Sequence, residues 1–169
     1  MQAKQKKYDI VIIGGGIGGI MAAYALGKTQ KVLLIEKGLP LQKRKCPLVS
    51  KRTQKCLGCS PCSIMQGMGG AGAFSDGKLS LSCEVGGDLP ALIGEQKTQE
   101  LIDYTDKIYL EFGADPKIEG AANTEEIKEI RKRAIAAGLK LVDCPIRHLG
   151  TEKAQEIYLG LERYLIDNG

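Results

Sequence analysis

The fold of this chain is decided by the stretch Tyr8-Asp9-Ile10-Val11-Ile12-Ile13-Gly14-Gly15-Gly16-Ile17-Gly18-Gly19, in which glycines follow directly on an apolar run. A helical run, residues 21–26, comes next. In the spacing Gly14-x-Gly16-x-x-Gly19 the first glycine permits a sharp turn. The second lets the backbone approach a pyrophosphate, and the third lets the helix pack closely on the strand. The helix N-terminus then directs N–H groups and positive dipole charge at the phosphates.

A second apolar run, Lys31-Val32-Leu33-Leu34-Ile35, reads as the next strand and ends just before Glu36. This acid lies about 20 residues beyond the glycines, where a dinucleotide site places a carboxylate for the ribose hydroxyls. A carboxylate there repels a 2′-phosphate, which disfavours NADP. The stretch 8–36 therefore predicts a strand–helix–strand unit that binds a dinucleotide. The alternative is an ordinary unit of this kind with a purely structural glycine turn.

Length and composition limit the classes of protein to which the chain can belong. Its 169 residues suffice for one domain with a core, and no apolar run approaches the roughly 18 residues of a transmembrane helix. The basic N-terminus leads into a strand rather than a signal peptide, so we expect a cytoplasmic protein. The net charge of +4 is modest and Trp is absent, so we expect no nucleic-acid partner.

The rest of the chain divides by composition into a Cys- and Gly-rich loop over 38–88 and a helical part over 90–169. Prolines make residues 38–63 irregular, Asn123 is a candidate helix cap with Glu126 in the capping box, and residues 139–142 read as a short strand. Apolar stripes at helical spacing predict core positions: Leu101, Ile102, Thr105, Ile108, Tyr109 and Phe112; Ile127, Ile130, Ala134 and Ala137; Ala154, Ile157, Tyr158, Leu161 and Leu165.

The end of the chain, Asp167-Asn168-Gly169, follows the last predicted helix and is typical of a turn into another strand. A doubly wound sheet needs more parallel strands than the two or three predicted here. We therefore expect an α/β fold with a Rossmann-like parallel sheet and appended helices that is incomplete in this sequence. Residues 1–169 would be the N-terminal part of a longer protein.

Four of the six cysteines lie close together in the sequence: Cys46, Cys56, Cys59 and Cys62. The last three form Cys-x-x-Cys-x-x-Cys, a spacing that lets thiolates converge on zinc or an iron–sulfur cluster, with Cys46 as fourth ligand. Two other interpretations stay open: a redox-active dithiol near a flavin, and plain reduced cysteines. Disulfides are not expected in a cytoplasmic chain.

A basic cluster that contains no acid spans thirteen residues and comprises Lys43, Arg44, Lys45, Lys51, Arg52 and Lys55. It is either a solvated loop or a source of one or two contacts to dinucleotide phosphates or to an anionic substrate. Arg44 lies shortly after Glu36 and is the residue we select for cofactor contact.

Four segments of the chain resemble known flavoproteins. The stretch from Tyr8 to Gly19, together with Glu36-Lys37-Gly38, resembles the N-terminal FAD-binding segment of flavoproteins with two dinucleotide-binding domains. Residues 59–79 (CSPCSIMQGMGGAGAFSDGKL) and Arg147-His148-Leu149-Gly150-Thr151 are similar to the uncharacterised FAD-dependent dehydrogenases. The resemblance covers essentially the whole chain but only the first part of those longer proteins, whose C-terminal part supplies further FAD contacts and most of the substrate pocket.

The resemblance implies roles for individual residues. Gly14, Gly16 and Gly19 would admit the FAD pyrophosphate, Glu36 would hold the adenosine ribose, and Arg44 would lie near the adenine or a phosphate. Backbone N–H groups of residues 69–72 would approach the flavin or pyrophosphate. Ser75, Asp76 and Lys78 would lie near the isoalloxazine, although Ser75-Asp76-Gly77 could form a simple turn. The predicted cofactor residues are Gly14, Gly16, Ile17, Gly18, Gly19, Glu36, Lys37, Arg44, Gly69, Gly70, Ala71, Gly72, Ser75, Asp76 and Lys78.

The function expected from these patterns is FAD binding within a flavin-dependent oxidoreductase that acts on a small-molecule substrate or electron acceptor. The flavin would carry the hydride or electron chemistry, and the protein would orient it. Two alternatives remain: an NAD-binding oxidoreductase with the same fingerprint, and a metal- or cluster-binding module in which the glycine turn is only structural.

Overall fold

The computed structural model describes residues 6–168. Its helices and strands, in chain order, are β1 (Ile10–Ile13), α1 (Ile17–Leu26), β2 (Val32–Ile35), β3 (Lys78–Ser80), α2 (Leu89–Ile93), α3 (Glu95–Glu111), α4 (Glu125–Ala136), β4 (Ile146–His148) and α5 (Thr151–Asn168). Two 3₁₀ turns, Leu41–Lys43 and Ala71–Phe74, interrupt the long loop between β2 and β3. The chain forms two compact units, one of residues up to 77 together with those from 151 onward, the other of residues 78–150.

The first unit is built on the predicted strand–glycine turn–helix–strand sequence. β1 and β2 pair in parallel, with Ile10 opposite Val32 and Ile13 opposite Ile35. A parallel pair needs a crossover connection, and α1 supplies it. This confirms a mixed α/β fold with a parallel sheet, but the sheet has only two strands in the described residues, so a full Rossmann fold is not shown.

The core of the first unit lies between α1, α5 and the two 3₁₀ turns. Four residues of α5, Ala154, Ile157, Tyr158 and Leu161, are buried, as their helical spacing predicted. Across from them lie Ile20, Ala23 and Tyr24 of α1 with Leu41 and Ala73 of the 3₁₀ turns, all buried. Packing of α5 thus fixes both the helix after the glycine turn and the loop that follows β2.

The second unit is organised by a buried arginine. β3 and β4 pair antiparallel, with Leu79 opposite Arg147. Arg147 is 2 % exposed, and its guanidinium donates hydrogen bonds to both carboxylate oxygens of Asp106 on α3 and to the carbonyls of Asp115 and Lys117. The arginine therefore ties β4, α3 and the segment after α3 together.

Three predictions for the second unit are wrong. The strand expected over 139–142 is absent there, and β4 begins only at Ile146, because that backbone pairs with β3 and bridges to Glu119. The cap of α4 is Thr124, whose hydroxyl accepts from the Ile127 N–H, rather than Asn123. The α4 stripe is not core, since no residue of that helix is buried and Ile130 is exposed.

The α3 stripe is confirmed only in part. Ile108 and Tyr109 are buried, whereas Leu101 is exposed. No helix among residues 6–168 combines the length and apolar character needed to cross a bilayer.

Candidate functional site

The glycine turn leaves β1 in a conformation that requires glycine at its first position. Gly14 has φ +106°, in the region that side-chain-bearing residues rarely adopt. Its N–H donates to the Ile35 carbonyl at 2.7 Å, which ties the turn to the end of β2. The turn therefore has the position and the conformation that the fingerprint predicts.

The other two fingerprint glycines differ in what surrounds them. A Cβ added to Gly19 would lie 1.9 Å from the Gly14 carbonyl oxygen, so glycine is required there for the helix to pack on the turn. A Cβ added to Gly16 would meet no atom within 4 Å, and the same holds for Gly18. No protein atom occupies the space beside Gly16 and Gly18. Glycine at these two positions therefore leaves room for a ligand to approach the backbone.

The N-terminus of α1 opens onto this space. Gly16 occupies the cap position in extended conformation, has no side chain to cap the helix, and is followed by a first turn without acidic residues. The first N–H groups of a helix have no partner within it and bind anions readily. The helix start therefore has the geometry of a phosphate-binding site.

Glu36 lies against the same turn. Its Oε2 accepts a hydrogen bond from the Gly15 N–H at 2.6 Å, and its Oε1 accepts from the Gly38 N–H at 2.7 Å. Burial raises the pKa of Glu36, but the N–H groups of Gly38, Gly15 and Gly67 and the charge of Arg44 together hold the pKa below its usual value. The carboxylate is therefore ionised at neutral pH, and its two oxygens retain lone pairs for further donors.

A second glycine-rich segment docks on the first. The Gly69 N–H donates to the Gly15 carbonyl at 2.8 Å, and a Cβ on Gly70 would lie 3.1 Å from the Gly16 Cα. Gly69 and Gly70 both have positive φ. The structure thus brings two of the four predicted glycine-segment residues beside Gly16. Of the other two, Ala71 is exposed, and Gly72 packs against Tyr158, whose hydroxyl would lie 2.7 Å from an added Cβ.

Arg44 holds this second segment in place. It is only 4 % exposed, and its guanidinium donates to the carbonyls of Ser63, Ile64, Met68 and Gly70 at 2.7–3.0 Å. Burial lowers the pKa of Arg44, while the negative charge of Glu36 and that of the Cys62 thiol in its ionised form act in the opposite direction. Direct contact between Arg44 and a cofactor stays a prediction, but four carbonyl hydrogen bonds make it a positioning residue for the glycine segment.

The remaining predicted cofactor residues are less closely grouped. Ser75 donates to the Gly72 carbonyl and accepts from the Gly77 N–H, so it forms the simple turn that was the alternative interpretation. Lys37 and Asp76 are exposed, and Lys78 begins β3 in the second unit. Ile17, half-buried, is the first residue of α1. Their roles toward a cofactor stay predictions.

The four clustered cysteines are free thiols: Cys46 and Cys62 are partly exposed, and Cys56 and Cys59 are exposed. Over residues 6–168, no three His, Cys, Asp or Glu side chains are grouped so that they could hold a metal ion. The zinc or iron–sulfur prediction stays untested. N–H groups of Ile64 and Met65 and the charge of Arg44 lower the pKa of the Cys62 thiol, against a smaller effect of burial.

Sequence reasoning missed the groups that assemble the site. Gly15 and Gly38 donate to Glu36, Met68 approaches Gly15, and Arg44 bonds to carbonyls. Of these groups, Gly38 could have been found from the sequence. It follows Glu36 by two residues, and a carboxylate can accept from a backbone N–H that close to it along the chain. The carbonyls that Arg44 contacts lie 19–26 residues away along the chain and carry no pattern.

Comparisons with protein-family models, with curated proteins and with solved structures gave no match.

Proposed function

We propose that this chain is the FAD-binding portion of a flavin-dependent oxidoreductase. The observation that carries the proposal is the open space beside Gly16 and Gly18 at an uncapped helix N-terminus, next to an ionised Glu36. A diphosphate needs close backbone approach and N–H donors, and a ribose needs a carboxylate acceptor. These residues fit the adenosine diphosphate half of FAD.

Each part of the site would have a distinct task. The first N–H groups of α1 would bind the diphosphate, and Glu36 would accept from the ribose hydroxyls while it keeps its hydrogen bonds to Gly15 and Gly38. Arg44 would fix Gly70 beside Gly16 and so define the second wall of the site. When bound, the flavin supplies hydride or electron transfer to a small-molecule substrate or electron acceptor.

The test is FAD binding by the purified protein, followed through flavin absorbance and the quenching of flavin fluorescence. We expect a yellow protein, with Gly16→Val lowering flavin content at least about tenfold because the branched side chain fills the diphosphate space. Ala136→Val, which enlarges an exposed position of α4, is the matched control and should leave flavin content unchanged.

Competition between nucleotides decides the alternatives. NADH that binds more tightly than FAD would replace the proposal by an NAD-dependent enzyme. Full flavin content in the Gly16→Val protein would contradict the proposed site, and a chain that binds zinc or iron but neither nucleotide would favour the metal module.

A further inference from the structure

The loop after β2 carries a surface that the flavin site does not use. From residue 37 to residue 75 the sequence holds seven Lys and Arg and no Asp or Glu. Arg44 is buried, but the other cations of the basic cluster are exposed: Lys43, Lys45, Lys51, Arg52 and Lys55. The loop therefore presents charge of a single sign to its surroundings.

Exposed apolar side chains lie among these cations. Val49 is 69 % exposed and Leu57 is 62 % exposed, and Leu48 beside Val49 is exposed as well. Isolated exposed apolar residues are ordinary on a protein surface. Here they lie between groups of cations in a segment without carboxylates, a combination of charge and apolar surface that suits an anionic bilayer.

The apolar residues occur on a compact turn. The Ser50 N–H donates to the Cys46 carbonyl, and the Lys51 N–H donates to the Leu48 carbonyl. The Arg52 N–H donates to the Pro47 carbonyl, and all three distances are within 3.0 Å. Lys51 has φ +56°, a conformation that non-glycine residues seldom adopt. Local hydrogen bonds thus hold Leu48 and Val49 at the turn, flanked by Lys45, Lys51 and Arg52.

We infer that the loop over residues 43–57, the basic loop, is a docking surface for an anionic lipid bilayer. Lys and Arg would face the headgroups, and Leu48, Val49 and Leu57 would enter the boundary between headgroups and acyl chains. Nucleic acid fits the same charge less well, because residues 37–73 contain no aromatic side chain on which a base could stack. This inference does not depend on flavin binding.

The experiment is co-sedimentation of the protein with large vesicles. One set consists of phosphatidylcholine alone, and the other includes about one third phosphatidylglycerol. We expect binding to the second set only, reduced as salt rises from about 0.1 M to about 0.5 M. Equal binding to both sets, or no binding to either, would overturn the inference.

Substitutions separate the charge contribution from the apolar one. Lys51→Gln with Arg52→Gln should weaken partitioning about 25-fold, at about fivefold for each cation near an anionic surface. Val49→Ser should weaken it up to about tenfold through lost apolar burial. The matched controls lie on α4, where Lys132→Gln with Arg133→Gln and Ile135→Ser change exposed residues of the same kinds. These controls should leave vesicle binding unchanged.

Circular dichroism checks that each variant folds, and the salt dependence of the unmodified protein tests the charge contribution without any substitution. Equal losses in the α4 controls would contradict a specific surface. Tighter binding to duplex DNA than to the anionic vesicles at the same salt concentration would also overturn the inference and assign the loop to nucleic acid.

Discussion

Two arginines, one in each unit, are almost equally buried and yet play different parts. Arg147 donates to both oxygens of Asp106, so the carboxylate directly balances the charge of the guanidinium. The hydrogen bonds to Asp106 raise the pKa of Arg147 against the effect of burial. The hydrogen bonds of Arg44 go to four carbonyls, and burial lowers its pKa. A carbonyl satisfies the donors of a guanidinium without cancelling its charge.

The two partner sets give the two arginines different consequences, stability for Arg147 and, on the proposed function, support of a binding site for Arg44. Around Arg147 the charges of the guanidinium and of Asp106 balance, and the ion pair ties the β3–β4 strand pair to α3. Around Arg44, carbonyls satisfy the donors and Glu36 acts on the guanidinium through its charge alone, within the unit that also presents the open start of α1. We expect substitutions of Arg147 to act through stability alone, and substitutions of Arg44 to separate stability from anion binding.

The largest effect is expected when Arg147 is removed. Arg147→Ala leaves Asp106 with most of its surface buried and no cation beside it, which should lower the free energy of unfolding by about 3–5 kcal/mol. Urea denaturation measures the loss. The double variant Arg147→Met with Asp106→Leu should recover much of it, because no charge is then left unpaired. A double variant as unstable as Arg147→Ala would show that shape rather than charge decides this region.

The second largest effect is expected for Gly19→Ala, since the new methyl group would overlap the Gly14 carbonyl oxygen. We expect a loss of about 3 kcal/mol in the free energy of unfolding. Gly16→Ala is the matched control: it adds the same methyl group where no atom lies within 4 Å, and it should change stability by less than about 0.5 kcal/mol. Equal losses in the two variants would remove the distinction between a packed and an open glycine.

Arg44→Lys sharpens the contrast with Arg147 at a smaller scale. Lysine keeps the charge but has three donors on one nitrogen, so it cannot reach carbonyls on several sides. We expect a loss of about 1–3 kcal/mol, the cost of unsatisfied buried carbonyls, together with weaker FAD binding as Gly70 moves away from Gly16. Unfolding curves and FAD titration measure the two effects. Loss of stability with unchanged FAD affinity would make Arg44 a structural residue only.

The smallest effects are expected from two glutamates with opposite pH dependence. The pKa of Glu36 is below its ordinary value of 4.5 in the folded chain, so its contribution to stability is complete above pH 4.5 and is lost as pH falls through the folded pKa. Burial raises the pKa of Glu162, although the Leu41 N–H and Arg163 oppose it, so stability falls as pH rises above 4.5.

Thermal melts of Glu36→Gln and Glu162→Gln across pH 3–8 compare the two side chains. Glu36→Gln should lower the melting temperature at neutral pH and reduce its acid dependence, and Glu162→Gln should raise the melting temperature at neutral pH. The same sign of change in both variants at neutral pH would contradict the assigned pKa directions.

Patterns that are local in the sequence predicted local structure well. The apolar run, the glycines and the next apolar run gave β1, α1 and β2 in order, because strand alternation, glycine conformations and helix propensity act over a few residues. The stripe of α5 gave its buried face for the same reason. The α4 stripe has the same spacing but no buried residue, since periodicity indicates a face and not what covers it.

The strand–glycine turn–helix–strand order was predictable because steric and hydrogen-bonding rules of adjacent residues produce it, and parallel pairing of the two strands then places Glu36 near the turn. Long-range packing, which no pattern in the chain announces, brings Gly69 and Gly70 onto Gly15 and Gly16 and gives Arg44 carbonyl partners and Arg147 a carboxylate. A guanidinium can donate to a carbonyl or to a carboxylate, and the sequence around an arginine does not indicate which. The partner depends on how distant segments pack.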